Sequence, residues 1–427
     1  MRTVIVGGGV VGLTTAYEIA RAGGQPLVLE AARAGQAASH GNAAKIALAE
    51  SAPVPAPGVL LQGIRWMLRP DSPLAIHPRL APDYVKFLLA MARHCNARDF
   101  EAGLDVHLRM GADANDLLDD YRADGIDFEM HANGVLLAFE TRERFEEHCA
   151  SLPQFESFGH VPERLYGHGA VQEREPALKD SIGYGLFFPS DRQLEPDSLT
   201  RGLVARITEL GGEVREDTAV SGFVRRGDRV TAVLTDSGER IEADAVVITA
   251  GADAGRLTAQ LGVPLPIVTG KGYSIDYTPA PVQLRTSLTL EDARVAVTPL
   301  DGRLRLAGTM EFGARNNEVN DVRVSAIRRA AAQAFSGWES ADLTGEQAPW
   351  AGVRPMTPDG LPVIGLLGEL SNTVVSSGHS MLGLTLAPAS ARIASDLVFG
   401  HRPELPADLL NRISPHRYPA GPRHRAL

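Results

Sequence analysis

Val4-Ile5-Val6-Gly7-Gly8-Gly9-Val10-Val11-Gly12 stands almost at the start of the chain, and its reading governs the rest. Thr3 to Val6 is a short apolar strand, and from Val10 to Arg21 the residues Leu13, Ala16, Tyr17 and Ala20 recur at helical spacing. Between the two, the glycines fall as Gly7-x-Gly9-x-x-Gly12. Gly7 permits a tight turn out of the strand, Gly9 lets backbone approach a pyrophosphate, and Gly12 lets the helix pack close to the strand. The helix start, with Val10 and Val11, offers amide donors and a favourable dipole to phosphates. Gly23-Gly24 ends the helix and Leu27 to Leu29 forms the next buried strand. Glu30 at its tip is placed to accept hydrogen bonds from ribose hydroxyls. Together these features predict an α/β, Rossmann-type dinucleotide fold. They do not choose between a flavin and a nicotinamide cofactor.

The chain has 427 residues, too many for one compact core, so two domains are expected. Its 44% hydrophobic and 22% charged residues are ordinary for a globular protein and exclude a disordered body. A net charge of -10 argues against nucleic acid as a partner. Two cysteines, Cys95 and Cys149, make neither a disulfide framework nor a metal-ligand pattern, which fits a reducing, cytoplasmic compartment. No apolar run approaches the roughly 18 residues of a membrane span, which leaves peripheral contact with the inner membrane face open. Neither a metal cluster nor a nucleophile triad is evident, and no metal is expected.

Further along, Ser51 to Pro82 is proline-rich and reads as a surface excursion, and Asp83 to Cys95 returns to a helical pattern. Leu199, Leu203, Ile207 and Leu210 mark one face of a helix ended by Gly211-Gly212. A meander follows through residues 221–225, 230–235 and 239–242 to the apolar strand 245–249, with Gly251 at its mouth. Val295 to Leu300 and Arg303 to Ala307 form a hairpin across Asp301-Gly302. Thr373 to Ser376 is a strand, Gly378-His379-Ser380 a loop, and Leu382 to Phe399 a helix that Pro388 is expected to bend. Beyond Arg402 the prolines and basic residues predict a loose tail.

Five blocks carry a resemblance over nearly the whole chain: Val6 to Gly12 with Ala16-Tyr17, Ala38-Ser39-His40-Gly41-Asn42-Ala43, Lys271-Gly272-Tyr273-Ser274, Ala351 to Gly360, and Gly378 to Thr385. On these the chain resembles the FAD-dependent amino acid oxidoreductases of the D-amino acid oxidase type, and among them the dehydrogenases. It departs from their pattern at His40, Leu384 and Ala387-Pro388. The resemblance implies FAD as cofactor and a flavin domain assembled from residues 1–80, 190–270 and 345–400. An α+β substrate domain with a largely antiparallel sheet is interleaved with it, from residues 81–189 and 271–344, and 401–427 form the tail. The implied reaction oxidises the Cα–N bond of a D-amino acid to an imine, which water converts to a 2-oxo acid and ammonia. Electrons pass to a quinone or another respiratory acceptor. An oxidase or dehydrogenase of glycine, sarcosine or a cyclic imino acid such as D-hydroxyproline is the alternative, and a non-catalytic flavin electron-transfer subunit, which needs a partner subunit, is the second.

An amino acid carries a carboxylate, and arginine can meet it with two parallel charge-assisted hydrogen bonds. Arg354 is the first candidate anchor, Tyr273 a second carboxylate contact, and His379 a catalytic or flavin-contacting residue; Lys271 is expected to pair with an internal carboxylate. Around the cofactor the candidates are Gly7, Gly9, Val10, Val11, Gly12, Glu30, Ser39, His40, Asn42, Ala43, Val220, Ala250, Gly251, Gly352, Gly378 and His379. The amides of Met381, Leu382 and Gly383 are expected to face the flavin and stabilise negative charge on it.

Overall fold

The computed structural model describes residues 1–59, 72, 74–76, 81–314 and 316–418. Most of the proline-rich stretch after position 59 and the last nine residues, 419–427, lie outside them.

Two large sheets organise the molecule. The six-stranded one runs Glu213–Arg215, Gln25–Leu29, Arg2–Val6, Ala245–Ile248, Thr373–Ser377, Val363–Leu366. All neighbours are parallel except the last, antiparallel pair. Strands covered on both faces need apolar residues at every position. Ile5, Val28, Val247 and Val374 face a core shared with helices Val10–Arg21, Pro196–Glu209 and Gly383–Val398. Val4, Val6, Leu27, Leu29, Val246 and Ile248 face the opposite core, which the small antiparallel sheet Val220–Arg226, Arg229–Thr235, Arg240–Glu242 covers.

The second sheet has nine strands and is largely antiparallel. Its central run is Trp350–Met356, Val268–Tyr277, Arg303–Phe312, Val295–Leu300, Ser287–Leu290, with Val135–Phe139 added in parallel. The Asp301-Gly302 hairpin forms as expected, with Leu300 opposite Arg303. Helix Asp321–Ala334 packs on one face through Val324, Ile327 and Ala331. From the other face Ala296, Ala307 and Thr309 line a cavity that also reaches Gly7 and Gly9.

Two expectations need correction. Trp350–Met356 pairs with Val268–Tyr277 in the nine-stranded sheet, so the segments ending at 270 and starting at 345 do not divide where the sheets do. The expected helix after the Gly378 loop forms as Gly383–Val398, with Pro388 inside it. The tail is not loose over its first part: Leu409 and Ile413 of helix Ala407–Ile413 are buried, and Arg417 pairs with Asp359 at 2.7 Å. The i, i+4 apolar pair within the basic composition is what docks it. Among the described residues no helix is long and apolar enough to cross a membrane.

Candidate active site

One cavity of about 820 Å³ extends from the glycine turn to the inner face of the nine-stranded sheet. At the nucleotide end, Gly7 has φ +111°, and a Cβ there would come within 2.8 Å of the Thr249 carbonyl oxygen. A Cβ on Gly12 would sit 1.9 Å from the Gly7 carbonyl, so Gly12 serves helix–strand contact and lies behind the cavity wall. Gly9, Val10 and Val11 line the cavity. The Val10 amide donates to Ser39 Oγ at 2.9 Å, which ties the loop after the second strand to the helix start. Glu30 reaches the cavity with its carboxylate already oriented: Oε2 accepts from Gly8 N–H at 2.7 Å and Oε1 from Ala32 N–H at 3.0 Å. Val220, Ala250 and Gly251 complete this end.

At the other end stands Arg354. Gly270 is opposite Arg354 and Gly272 opposite Gly352, which puts all four on one face of the sheet. The guanidinium lies across Gly272, and its Nη1 donates to the Thr309 carbonyl at 3.3 Å. Burial lowers its pKa to about 10, so it stays cationic at neutral pH. Among the described residues it has no carboxylate partner, and it lines the cavity. A buried cation without a counter-ion is costly unless a ligand supplies one.

A family model described as FAD dependent oxidoreductase matches residues 2–397. The chain belongs to that family. A D-amino acid dehydrogenase of Methylobacterium radiotolerans is 34% identical over 418 residues, spanning 96% of this chain and 98% of that protein. One of Bradyrhizobium diazoefficiens is 31% identical, over 96% and 98% of the two chains. Among solved structures, glycine oxidase from Geobacillus kaustophilus superposes with a TM-score of 0.78 at 24% identity, over 98% of this chain and 99% of that one. L-proline dehydrogenase from P. horikoshii gives 0.72 at 19% identity, over 97% of each. Both share the fold.

The residues of this FAD dependent oxidoreductase fit its cofactor. The glycine turn leaves room where side chains would block a diphosphate, Glu30 presents acceptors, and the buried Ser376 hydroxyl opens onto the cavity with no hydrogen-bond partner among the described residues. Ser39, Asn42 and Ala43 line it too, in a loop with an unusual brace. Arg305, almost fully buried, holds Asp276 with bonds of 2.8 and 2.9 Å and donates to the carbonyls of His40 at 2.7 Å and Asn42 at 3.3 Å. Sequence reasoning missed Arg305 and Asp276. They lie on strands distant in sequence from the loop, and no local pattern marks them.

His40, expected at the cofactor, does not line the cavity. Its Nδ1 is 2.8 Å from Asp197, and its ring meets the edge of Trp350. Trp350 also fills the space where side chains at Gly41 and Gly352 would lie, at 1.9 and 2.0 Å from an added Cβ, so Gly352 too is a packing glycine behind the wall. Burial raises the Asp197 carboxyl, but the bond to His40 together with the charges of His40, Arg305 and Arg303 outweighs it, and the net effect is a lowered pKa.

Tyr273 is the second displaced candidate. Strand alternation puts it on the face opposite Gly272 and Arg354, fully buried in the core under helix Asp321–Ala334. Burial and the Glu311 carboxylate push its phenol well up. Lys271, on that same face, bonds Asn316 Oδ1 at 3.2 Å and sits 4.0 Å from Glu311, the internal carboxylate expected for it.

His379 lines the cavity, but its Nε2 is 2.9 Å from Ser390 Oγ, and burial, with the neighbouring His107, lowers its pKa to about 3. It is a neutral imidazole at working pH, with a single ring proton. Gly378, at φ +75°, turns the chain into that loop behind the wall. Met381, Leu382 and Gly383 line the cavity, yet the Leu382 amide donates to the His379 carbonyl at 2.9 Å and is not free for a flavin.

Lys45 is a further lining residue without a sequence signal. Its Nζ is buried and donates to Leu288 O at 2.9 Å, Thr289 Oγ1 at 2.5 Å and Glu50 at 3.3 Å. The turn beside it is held by Asp191, which accepts from the amides of Leu48 and Ala49 at 3.1 and 3.0 Å.

Proposed function

We propose that this enzyme oxidises the Cα–N bond of a D-amino acid, yielding a 2-oxo acid and ammonia after hydrolysis of the imine, with electrons leaving to a quinone or a similar acceptor. The six-stranded unit holds the nucleotide, and the inner face of the nine-stranded sheet holds the substrate. One observation carries the reading: the Arg354 guanidinium faces the cavity as a part-buried cation lacking a carboxylate partner among the described residues. An amino acid brings the missing carboxylate and gains a fixed orientation. Bound FAD supplies the two-electron redox chemistry. The protein's share is to anchor the carboxylate at Arg354, enclose the substrate within walls such as Leu137, Leu186 and Phe188, and keep bulk water away. His379, being neutral and bonded to Ser390, orients the loop and takes no proton. Full-length similarity to D-amino acid dehydrogenases supports the choice of substrate class.

The test is anaerobic reduction of the purified yellow protein by both enantiomers of each amino acid, followed in the flavin absorption band. D-enantiomers are expected to bleach it and Arg354→Ala to lose saturation while keeping its colour. Bleaching by glycine, sarcosine or cyclic imino acids alone would move the assignment to those substrates. Reduction only in the presence of a second protein would make the chain an electron-transfer subunit.

A further inference from the structure

We propose that Thr309 is a second anchor of the substrate carboxylate, its hydroxyl donating a hydrogen bond to the group that Arg354 grips; the inference rests on the substrate reading above. Five described residues other than glycine have positive φ: Ala44, Asp217, Arg294, Thr309 and Ser380. Arg294, Thr309 and Ser380 line the cavity, and Ala44 lies between the lining residues Ala43 and Lys45. Strain of this kind gathers at functional sites. Thr309, at φ +61°, is the β-branched member, for which the left-handed region is a true outlier.

The Thr309 hydroxyl gains no partner within the fold from that conformation. Thr309 is 8% exposed, and its Oγ1 has no hydrogen-bond partner among the described residues. A buried hydroxyl left so is unfavourable until something fills the cavity beside it. Glycine would hold the same backbone without the steric conflict. The local cause is a bulge in the strand pair. Lys271 is opposite Glu311 and Tyr273 opposite Gly308, so Thr309 and Met310 together face Gly272. Such a bulge re-aims a side chain. It also brings the Thr309 carbonyl under the Arg354 guanidinium at 3.3 Å, which fixes the two residues as neighbours. A carboxylate has more lone pairs than one guanidinium fork engages, and an adjacent hydroxyl has one proton to give. Beside a cation, the ligand group within reach is the anion.

The experiment compares wild-type holoenzyme with Thr309→Ser, Thr309→Val and Thr309→Gly. It measures KM and kcat for D-alanine and the Kd of benzoate, a carboxylate without an amine, from the shift of the flavin band. The valine and glycine variants are expected to raise KM and the benzoate Kd on the order of tenfold or more, with kcat moved less. Thr309→Ser is expected to stay near wild type, and Thr309→Gly to melt no lower than wild type because it relieves the backbone. Unchanged KM and Kd in Thr309→Gly, or a serine variant as impaired as the glycine one, would overturn the proposal. If no D-amino acid reduces the wild-type flavin, the substrate reading fails separately, and the benzoate titration still decides Thr309.

Discussion

The Arg354 guanidinium occupies the space a side chain at Gly272 would need: an added Cβ would lie 1.9 Å from Nη1. The glycine in the Lys271-Gly272-Tyr273 block is thus explained by a charge on the neighbouring strand. Gly272→Ala is expected to push the guanidinium off the Thr309 carbonyl and lower kcat/KM about a hundredfold, near 3 kcal/mol of transition-state binding. The flavin stays bound. Steady-state kinetics beside the visible spectrum check this, and an unaltered kcat/KM would show that the anchor tolerates displacement.

Glu30 supports the glycine turn through Gly8 and Ala32 as well as facing the cavity. Glu30→Ala removes two charge-assisted acceptors of the turn and the carboxylate expected to meet the ribose. FAD affinity is expected to fall about tenfold to a hundredfold, at roughly 1.5–3 kcal/mol per charged hydrogen bond lost. Titration of the apoprotein with FAD, followed by quenching of flavin fluorescence, measures the change.

His40 is turned to Asp197 and away from the cavity, which predicts that no bond joins it to the flavin. Precipitation in acid is expected to leave all of the pigment in the supernatant. His40→Ala should bind FAD stoichiometrically. Colour retained in the pellet of the wild-type protein alone would contradict this placement.

Asp191 is buried, and desolvation raises its pKa to about 7 against the bonds from Leu48 and Ala49. The unfolded carboxyl titrates near 3.9, so between about pH 4 and 7 the native state holds the extra proton. This group's contribution to stability is complete below that window and lost as pH rises through it. Asp191→Asn removes the titration, though the amide also faces one of the two N–H donors badly. The melting temperature of the variant is lower, and it falls less steeply than wild type's across that range. Equal slopes would show that Asp191 does not titrate there.

Arg417 pairs with Asp359, and Tyr418 Oη donates to the same carboxylate at 2.8 Å. Arg417→Ala leaves a buried carboxylate short of its cation, with an expected loss of about 3 kcal/mol. Thermal melting against wild type checks it. A change under about 0.5 kcal/mol would return the segment to the status of an ordinary surface tail.

The nucleotide end was legible because its parts are consecutive: strand, glycines, helix, strand and acid all fall within Thr3 to Glu30, and each constrains the next. The hairpin at Asp301-Gly302 was legible for the same local reason. Tyr273 and His40 were misplaced because each stands beside true site residues in sequence, and adjacency says nothing about direction. In a strand, successive side chains oppose each other. Lys271 and Tyr273 therefore share the core face, and Gly272 the cavity face.

Arg305, Asp276 and Thr309 carried no signal at all. Arg305 braces the 40–42 loop from across 265 residues of chain to His40, a contact that only the packing of the two sheets creates. Local sequence determined the nucleotide turn and the motif that holds Arg354, since backbone freedom and periodicity act over a few residues. Which side chains face the cavity, which cation stays unpaired, and where strain is held were decided by strand register and the meeting of the two sheets. Those depend on contacts between distant segments that no short stretch encodes.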